Sequence, residues 1–429
     1  MITRPPATDV RGDEAAEAKL GALAELTVRA GGALHPAARW TVRGRQLKPE
    51  VGDPAADGQA LAVVPAAALP AVTMGTVGFD DDRLVRRASA PAATKQQTDV
   101  LEAMLDLYNA LDRPRQWRQT APWLALAGDT GILDHLARGL DLGGKLTTLA
   151  RLCAADRWDE VATASFLGSR TYSWHDGDTR RAVLMPFIDF LDHHWDGAPF
   201  ERRGAPPGIA VAVKRPRAGD SRCHARYGRL DALTSYLNYA FVDTEAPIVN
   251  SVPARIPIDS DLTLAVRGRP VKTRADAGRL GFGAAPYHVP RTETPERGLV
   301  TLDHVVVADA RAPWAVPALL TRLLGRLRPE LAPRARSALA EDVRLRLVAA
   351  NEAYYARLLR HVDAARAPAD TGSDTDADGD GDGGRAGGLA ACQRLAEHQL
   401  TLLARARARP ADGPARRDPG SGAEAGSGG

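Results

Sequence analysis

The chain has 429 residues, a formal net charge of +3 and three cysteines. That length calls for two or three domains rather than one small core. The near-balance of charge supplies no basic stripe of the kind that drives direct nucleic-acid binding. Cys153, Cys223 and Cys392 form no Cys-x-x-Cys pair, which argues against a structural zinc site or a disulfide framework and suits a reducing compartment.

Taken in chain order, residues 1–20 (MITRPPATDVRGDEAAEAKL) are polar, have no apolar h-region and are expected to be disordered. No long apolar run follows, so a cytoplasmic protein without membrane contact is expected. Over residues 21–95, ALHPAARWTVRGRQL and GQALAVVPAAAL carry short apolar strands broken by Gly and Pro, the pattern of a small β region. Val100, Leu101, Met104, Leu105, Tyr108 and Leu111 then fall at helical spacing, with Thr98 as N-cap and Pro114 as stop. ILDHLARGL, KLTTLARLCAA and DEVATASFL extend this into a mostly helical stretch over 96–160.

Short strands return in RAVLM, GIAVAVK and SVPARIPI across 161–260, and again in LVTLDHVVV. From Trp314, ALLTRLLGRL, DVRLRLVAANEAYYARLLRHV and LAACQRLAEHQLTLLARA carry 3.6-residue apolar stripes, so residues 261–410 read as mainly helical. The text TGSDTDADGDGDGGRAGG makes 367–388 a flexible loop, and 411–429 reads as a disordered tail. Asp374, Asp376, Asp378 and Gly379 begin like a calcium-binding loop, but Arg385 occupies the twelfth position, so no metal site is expected. The order β, helical insert, β, helical C-terminal domain defines an α+β fold.

Four short segments between Ser169 and Asp243 carry the chemistry: SRTYSW, VLMPFIDFLDHH, AGDSRCHARYG and YLNYAFVD. In sequence terms Arg170 is a guanidinium at a helix end, suited to a carboxylate. Pro186 breaks a strand before Asp189, Asp192 and His193. Tyr227 follows a Gly-Asp turn, and Tyr239 and Phe241 close the series. Each has an ordinary alternative: a surface arginine, a solvated turn, a half-buried aromatic at a helix end. His175 and His194 lack a third spaced metal ligand. A hydrolase built on Cys223 with His193 or His224 lacks a nucleophile elbow or a spaced triad.

In order and spacing these segments resemble the C-terminal half of SET-domain protein methyltransferases, in particular the Rubisco large-subunit lysine methyltransferase-like subgroup. The resemblance implies a SET-type β-fold with a knot-like crossing, split by a helical insert and followed by a helical substrate-binding domain. It implies S-adenosylmethionine as cofactor and a protein substrate, with lysine, or in a relative histidine, as the methyl acceptor. It places Arg170, Asp189, Asp192, His193, Gly44 and Tyr239 against the cofactor and makes Tyr239 the catalytic residue. Tyr172, Tyr227 and Phe241 would line the substrate channel. The chain departs from the family pattern at Gln46 (glycine), Asp192 (asparagine) and Ala240 (glycine). Those departures support the alternative of a SET-like protein-binding module without catalysis.

Overall fold

The structure, a computed structural model, describes residues 14–43, 45–88, 93–141, 143–216, 219–270, 292–296, 298–367 and 381–408. The chain is α+β, as its sequence predicts, and forms two compact units. The first comprises residues 1–246, 268–271 and 354–399; the second comprises 247–267, 272–353 and 400–429. Among the described residues no helix is long and apolar enough to cross a membrane.

The first unit begins with α1 (Glu14–Arg29). Ala16, Leu20, Leu23 and Ala24 recur at helical spacing and are buried, so residues 14–20 are helical rather than part of a disordered N-terminus. Strands β1 (Ala33–Leu34), β2 (Ala38–Arg43), β3 (Gln46–Val51), β4 (Ala60–Pro65), β5 (Val77–Asp80) and β6 (Arg83–Arg86) follow. Ala38, Trp40 and Val42 alternate into the core of β2, which pairs antiparallel with β3.

Helices α2 (Lys95–Ala110), α3 (Arg113–Thr120), α4 (Pro122–Ala125), α5 (Thr130–Arg138), α6 (Gly144–Ala154) and α7 (Trp158–Arg170) come next. The N-cap of α2 is Thr94, not Thr98. Thr94 and Gln97 form a reciprocal capping box, each side chain accepting from the other's backbone N–H at 3.1 and 3.2 Å. Pro114 does not end α2 but sits in the first turn of α3, where its missing N–H is no loss.

Strands β7 (Tyr172–Asp176), β8 (Thr179–Val183), β9 (His193–Gly204), β10 (Pro207–Ala212) and β11 (Ala225–Arg226) precede α8 (Ala232–Tyr239). The main sheet has the order β1-β4-β10-β9-β11, antiparallel except where β11 runs parallel to β9. One continuous core joins α1, this sheet, the β2–β3 hairpin, α2, α7 and the turn around Pro186.

The second unit contains β12 (Ile248–Asn250), β13 (Ala254–Pro257), β14 (Thr263–Val266), β15 (Thr292–Glu296), β16 (Leu299–Leu302), β17 (Val306–Asp309) and α9 (Ala315–Leu327). Strands pair in the order β13-β14-β16-β15, and β12 pairs with β17. α10 (Pro333–Arg366) belongs to this unit through Ala353, and α11 (Gly381–Ala408) from Leu400. Asn351 accepts from the backbone of Val252 at 2.9 Å and donates to Ser251 at 3.2 Å, which fixes α10 against the chain after β12. Within the first unit, α11 starts at Gly381 and Arg385 forks onto Asp129 at 2.8 and 2.9 Å. Residues 381–388 are therefore helical rather than loop. The acidic run Asp374–Gly379 and the segment 411–429 lie outside the described residues.

Candidate functional site

The loop between β8 and β9 makes a sharp reversal after Pro186. Phe187 takes φ 62° and ψ −49°, a conformation that costs about 1–3 kcal/mol in a non-glycine residue. Packing holds it there: the ring is buried and meets Trp40 edge-on at 5.0 Å. A single 3₁₀ turn, Ile188–Phe190, then delivers Leu191, Asp192 and His193 to the start of β9.

Arg170 ends α7, where a cation suits the helix dipole. Its Nη1 donates to the Asp189 carbonyl at 2.9 Å and stands 3.9 Å from that residue's carboxylate. Asp189 is fully enclosed, and burial lifts its carboxyl well above the ordinary carboxylate value. The Arg170 Nε is buried and has no hydrogen-bond partner among the described residues.

The segment around β11 is hydrogen-bonded to this loop. Ala225 donates its N–H to the Asp192 carbonyl at 3.0 Å, and the Tyr227 hydroxyl donates to the Leu191 carbonyl. The Tyr227 backbone N–H reaches His193 Nδ1 at 3.1 Å. Helix α8 starts at buried Asp231, which accepts from the Thr234 N–H at 2.9 Å, and ends at Tyr239. Ala240 is its C-cap at φ 62°, left-handed, a region that alanine disfavours. The Tyr227 and Tyr239 rings are 5.0 Å apart, Tyr239 and Phe241 6.3 Å, and His193 and Phe241 5.8 Å. Burial raises both phenols above the usual tyrosine value, so both hydroxyls keep their protons at neutral pH.

These pieces enclose a cavity of about 470 Å³ within the first unit, inside the ~300–1,000 Å³ range of small-molecule sites. Arg170, Asp192, His193, Tyr227, Tyr239 and Phe241 line it together. Gln46 and Ala240 line it too. Asp189 does not: it is buried, and its carbonyl accepts from Arg170, which does line the cavity. Tyr172 does not either, because β7 directs it onto Phe200, with ring centres 6.3 Å apart. Gly44 lies outside the described residues.

The helical insert supplies the rest of the lining. Arg113, Gln116, Trp117 and Thr120 share one face of α3 by their i, i+3, i+4, i+7 spacing, and all reach the cavity. Trp117 Nε1 donates to Ser165 Oγ at 3.0 Å and its ring meets Phe166 edge-on at 5.7 Å, which fixes α3 against α7. That spacing is readable in RPRQWRQT; the cavity it faces is not. Cys223 is buried and its thiol is pushed up to about 11, so it is no nucleophile at neutral pH and the hydrolase alternative loses its reactive group.

No family model and no curated protein matches the chain. Among solved structures it is similar to the SET domain of LSMT bound to lysine and AdoHcy, at 11% identity and TM-score 0.38, covering 91% of this chain and 90% of that one. It is also similar to Rubisco LSMT bound to AdoMet, at 11% identity and TM-score 0.34, and to Rubisco LSMT bound to sinefungin and monomethyllysine, at 11% identity and TM-score 0.36; both cover 91% of this chain and 90% of the other. Likeness at this level fixes neither family nor ligand, and the functional reading rests on the residues themselves.

Proposed function

We propose that the chain is an S-adenosylmethionine-dependent protein methyltransferase of SET type, with a lysine side chain as acceptor. One observation carries the reading: residues from all four segments singled out in the sequence, Arg170, Asp192 with His193, Tyr227, and Tyr239 with Phe241, converge on one cavity.

The residues present fit the cofactor. The buried Arg170 Nε has no partner among the described residues, and a carboxylate would supply one. Asp192 is exposed at the wall and can accept from an ammonium. The faces of Tyr227, Tyr239 and Phe241 suit a sulfonium, as aromatic rings suit cations generally. When bound, S-adenosylmethionine supplies an electrophilic methyl group that needs no further activation.

The chain's own part is positioning and exclusion of water. The aromatic cluster closes one side of the cavity, and the Tyr239 hydroxyl, kept protonated, can orient an incoming amine. That amine must arrive neutral to attack. The C-terminal region, residues 261–410, which carries strands β14–β17 besides its helices, is the proposed contact for the protein substrate.

A binding module without catalysis is the second reading. It is favoured by Gln46, which stands at the cavity wall where the resembled family has glycine. Calorimetric titration of the protein with S-adenosylmethionine decides between them. Wild type is expected to release heat and Arg170→Ala to bind at least about tenfold more weakly. Absence of heat from wild type at about 1 mM cofactor would sink the methyltransferase reading.

A further inference from the structure

Arg113 opens α3 and lines the same cavity as Arg170. It is half-buried. Burial holds its guanidinium below the usual arginine value, and the Arg170 charge pushes the same way, while Asp192 and Tyr227 oppose. Among the described residues no hydrogen bond or ion pair joins Arg113 to a partner. Arg170 directs Nη1 to a carbonyl, and its Nε has no partner among the described residues. Two guanidiniums therefore meet one exposed carboxylate, Asp192, at this wall.

The placement of Arg113 is set by its scaffold. The helix that carries it is anchored one turn on by Trp117 on Ser165, and at its cap by Asp112, which pairs with Arg45. Holding two like charges at one partly dehydrated wall opposes folding. A bound anion between them reverses that cost, and the exposed carboxylate of Asp192 makes the lining complementary to a zwitterion, carboxylate toward the arginines and ammonium toward Asp192.

We infer that Arg113 acts with Arg170 to hold the carboxylate of the cofactor's amino-acid moiety, which makes Arg113 a cofactor-binding residue supplied by the helical insert. The inference rests on the methyl-donor reading above. A carboxylate from an acidic substrate side chain would satisfy the same two guanidiniums, and the choice of ligands below separates the two sources.

The test is calorimetry with two ligands on wild type, Arg113→Met and Arg113→Lys, together with the ligand-free melting temperature of each. S-adenosylhomocysteine carries the amino-acid carboxylate; 5′-methylthioadenosine keeps the nucleoside thioether and lacks it. Arg113→Met is expected to weaken S-adenosylhomocysteine by about tenfold or more and to leave 5′-methylthioadenosine unchanged. Arg113→Lys should recover part of the loss, because the charge stays and the fork goes. Ligand-free Arg113→Met should melt at or above the wild-type temperature, since a dehydrated charge has been removed.

Equal weakening of both ligands, or no change in either, overturns the inference while leaving the methyl-donor reading in place; an unchanged S-adenosylhomocysteine affinity would return the anion role to a substrate side chain. A lower ligand-free melting temperature with equal loss of both ligands makes Arg113 a structural residue and overturns it too. Wild type that binds neither ligand overturns the methyl-donor reading, and the inference with it.

Discussion

The backbone N–H of Tyr227 donates to Nδ1 of His193 at 3.1 Å, and this bond sets the tautomer of the histidine. Nδ1 must carry the lone pair, so the neutral ring holds its proton on Nε2. That nitrogen faces Oδ2 of Asp243 at 3.5 Å, and both atoms are buried with no other partner among the described residues. The imidazole thus joins three stretches of chain: the start of β9, the segment after β11 and the loop after Tyr239.

Replacing His193 with alanine removes that joint. The Tyr227 N–H loses its acceptor, and the ring leaves its packing against Tyr227 and Phe241 at 5.1 and 5.8 Å. His193→Ala should lower stability by about 2 kcal/mol. Urea unfolding should show a shifted midpoint with an unchanged slope. An unchanged midpoint would mean that the joint contributes nothing to the fold.

Ala240 caps α8 in the left-handed region, where its Cβ is strained. Glycine has no such penalty, although it loses more chain entropy on folding. The relief is the larger effect at a left-handed position, so Ala240→Gly should raise stability by about 0.5–1 kcal/mol. Thermal unfolding measures it, and a lower melting temperature would show that the strain is absorbed elsewhere.

Much of the site is legible in the sequence because it is local there. Arg170, Asp192, His193, Tyr227, Tyr239 and Phe241 lie in one short series whose spacing reports a shared neighbourhood. Arg113 and Trp117 are not legible in the same way. They belong to the insert, well upstream, and reach the cavity only because Trp117 bonds Ser165 across two helices. Residue type alone also misleads at Asp189, whose carboxyl looks available in the sequence but is enclosed by the fold. At Ala240 the demand of the helix end overrides the preference of alanine. Thr94 illustrates the reverse: its Thr-x-x-Gln box stands in plain text, and the hydrophobic stripe drew the cap four residues too far along.

The carboxyl of Asp189 imposes a pH dependence on stability. Burial lifts it well above its ordinary 3.8, although Arg170 stands 3.9 Å away. Dehydration wins because that separation is too long for a hydrogen bond and Nη1 is committed to the Asp189 carbonyl. A folded state that keeps its proton longer than the unfolded chain loses stability as pH rises from about 4 toward the folded value. Asp189→Asn keeps the shape and cannot ionise, so its stability should vary less over that window. Denaturant midpoints at a series of pH values check this, and identical slopes for the two proteins would exclude a perturbed Asp189.

Tyr239 provides the sharpest test of catalysis. Its ring packs against Tyr227 at 5.0 Å, and a phenylalanine preserves that contact. What phenylalanine removes is the hydroxyl, which burial keeps protonated at neutral pH and which lines the cavity from the end of α8. A group that only shapes the pocket would leave turnover intact when the oxygen goes. A group that orients the amine as charge shifts in the transition state acts on kcat and not on cofactor binding. On the proposed methyltransferase reading, Tyr239→Phe should therefore lower kcat for methyl transfer to a protein substrate by about a hundredfold. Cofactor affinity by calorimetry should stay at the wild-type value. An unchanged kcat removes the hydroxyl from the mechanism, and a parallel loss of affinity assigns it to cofactor binding instead.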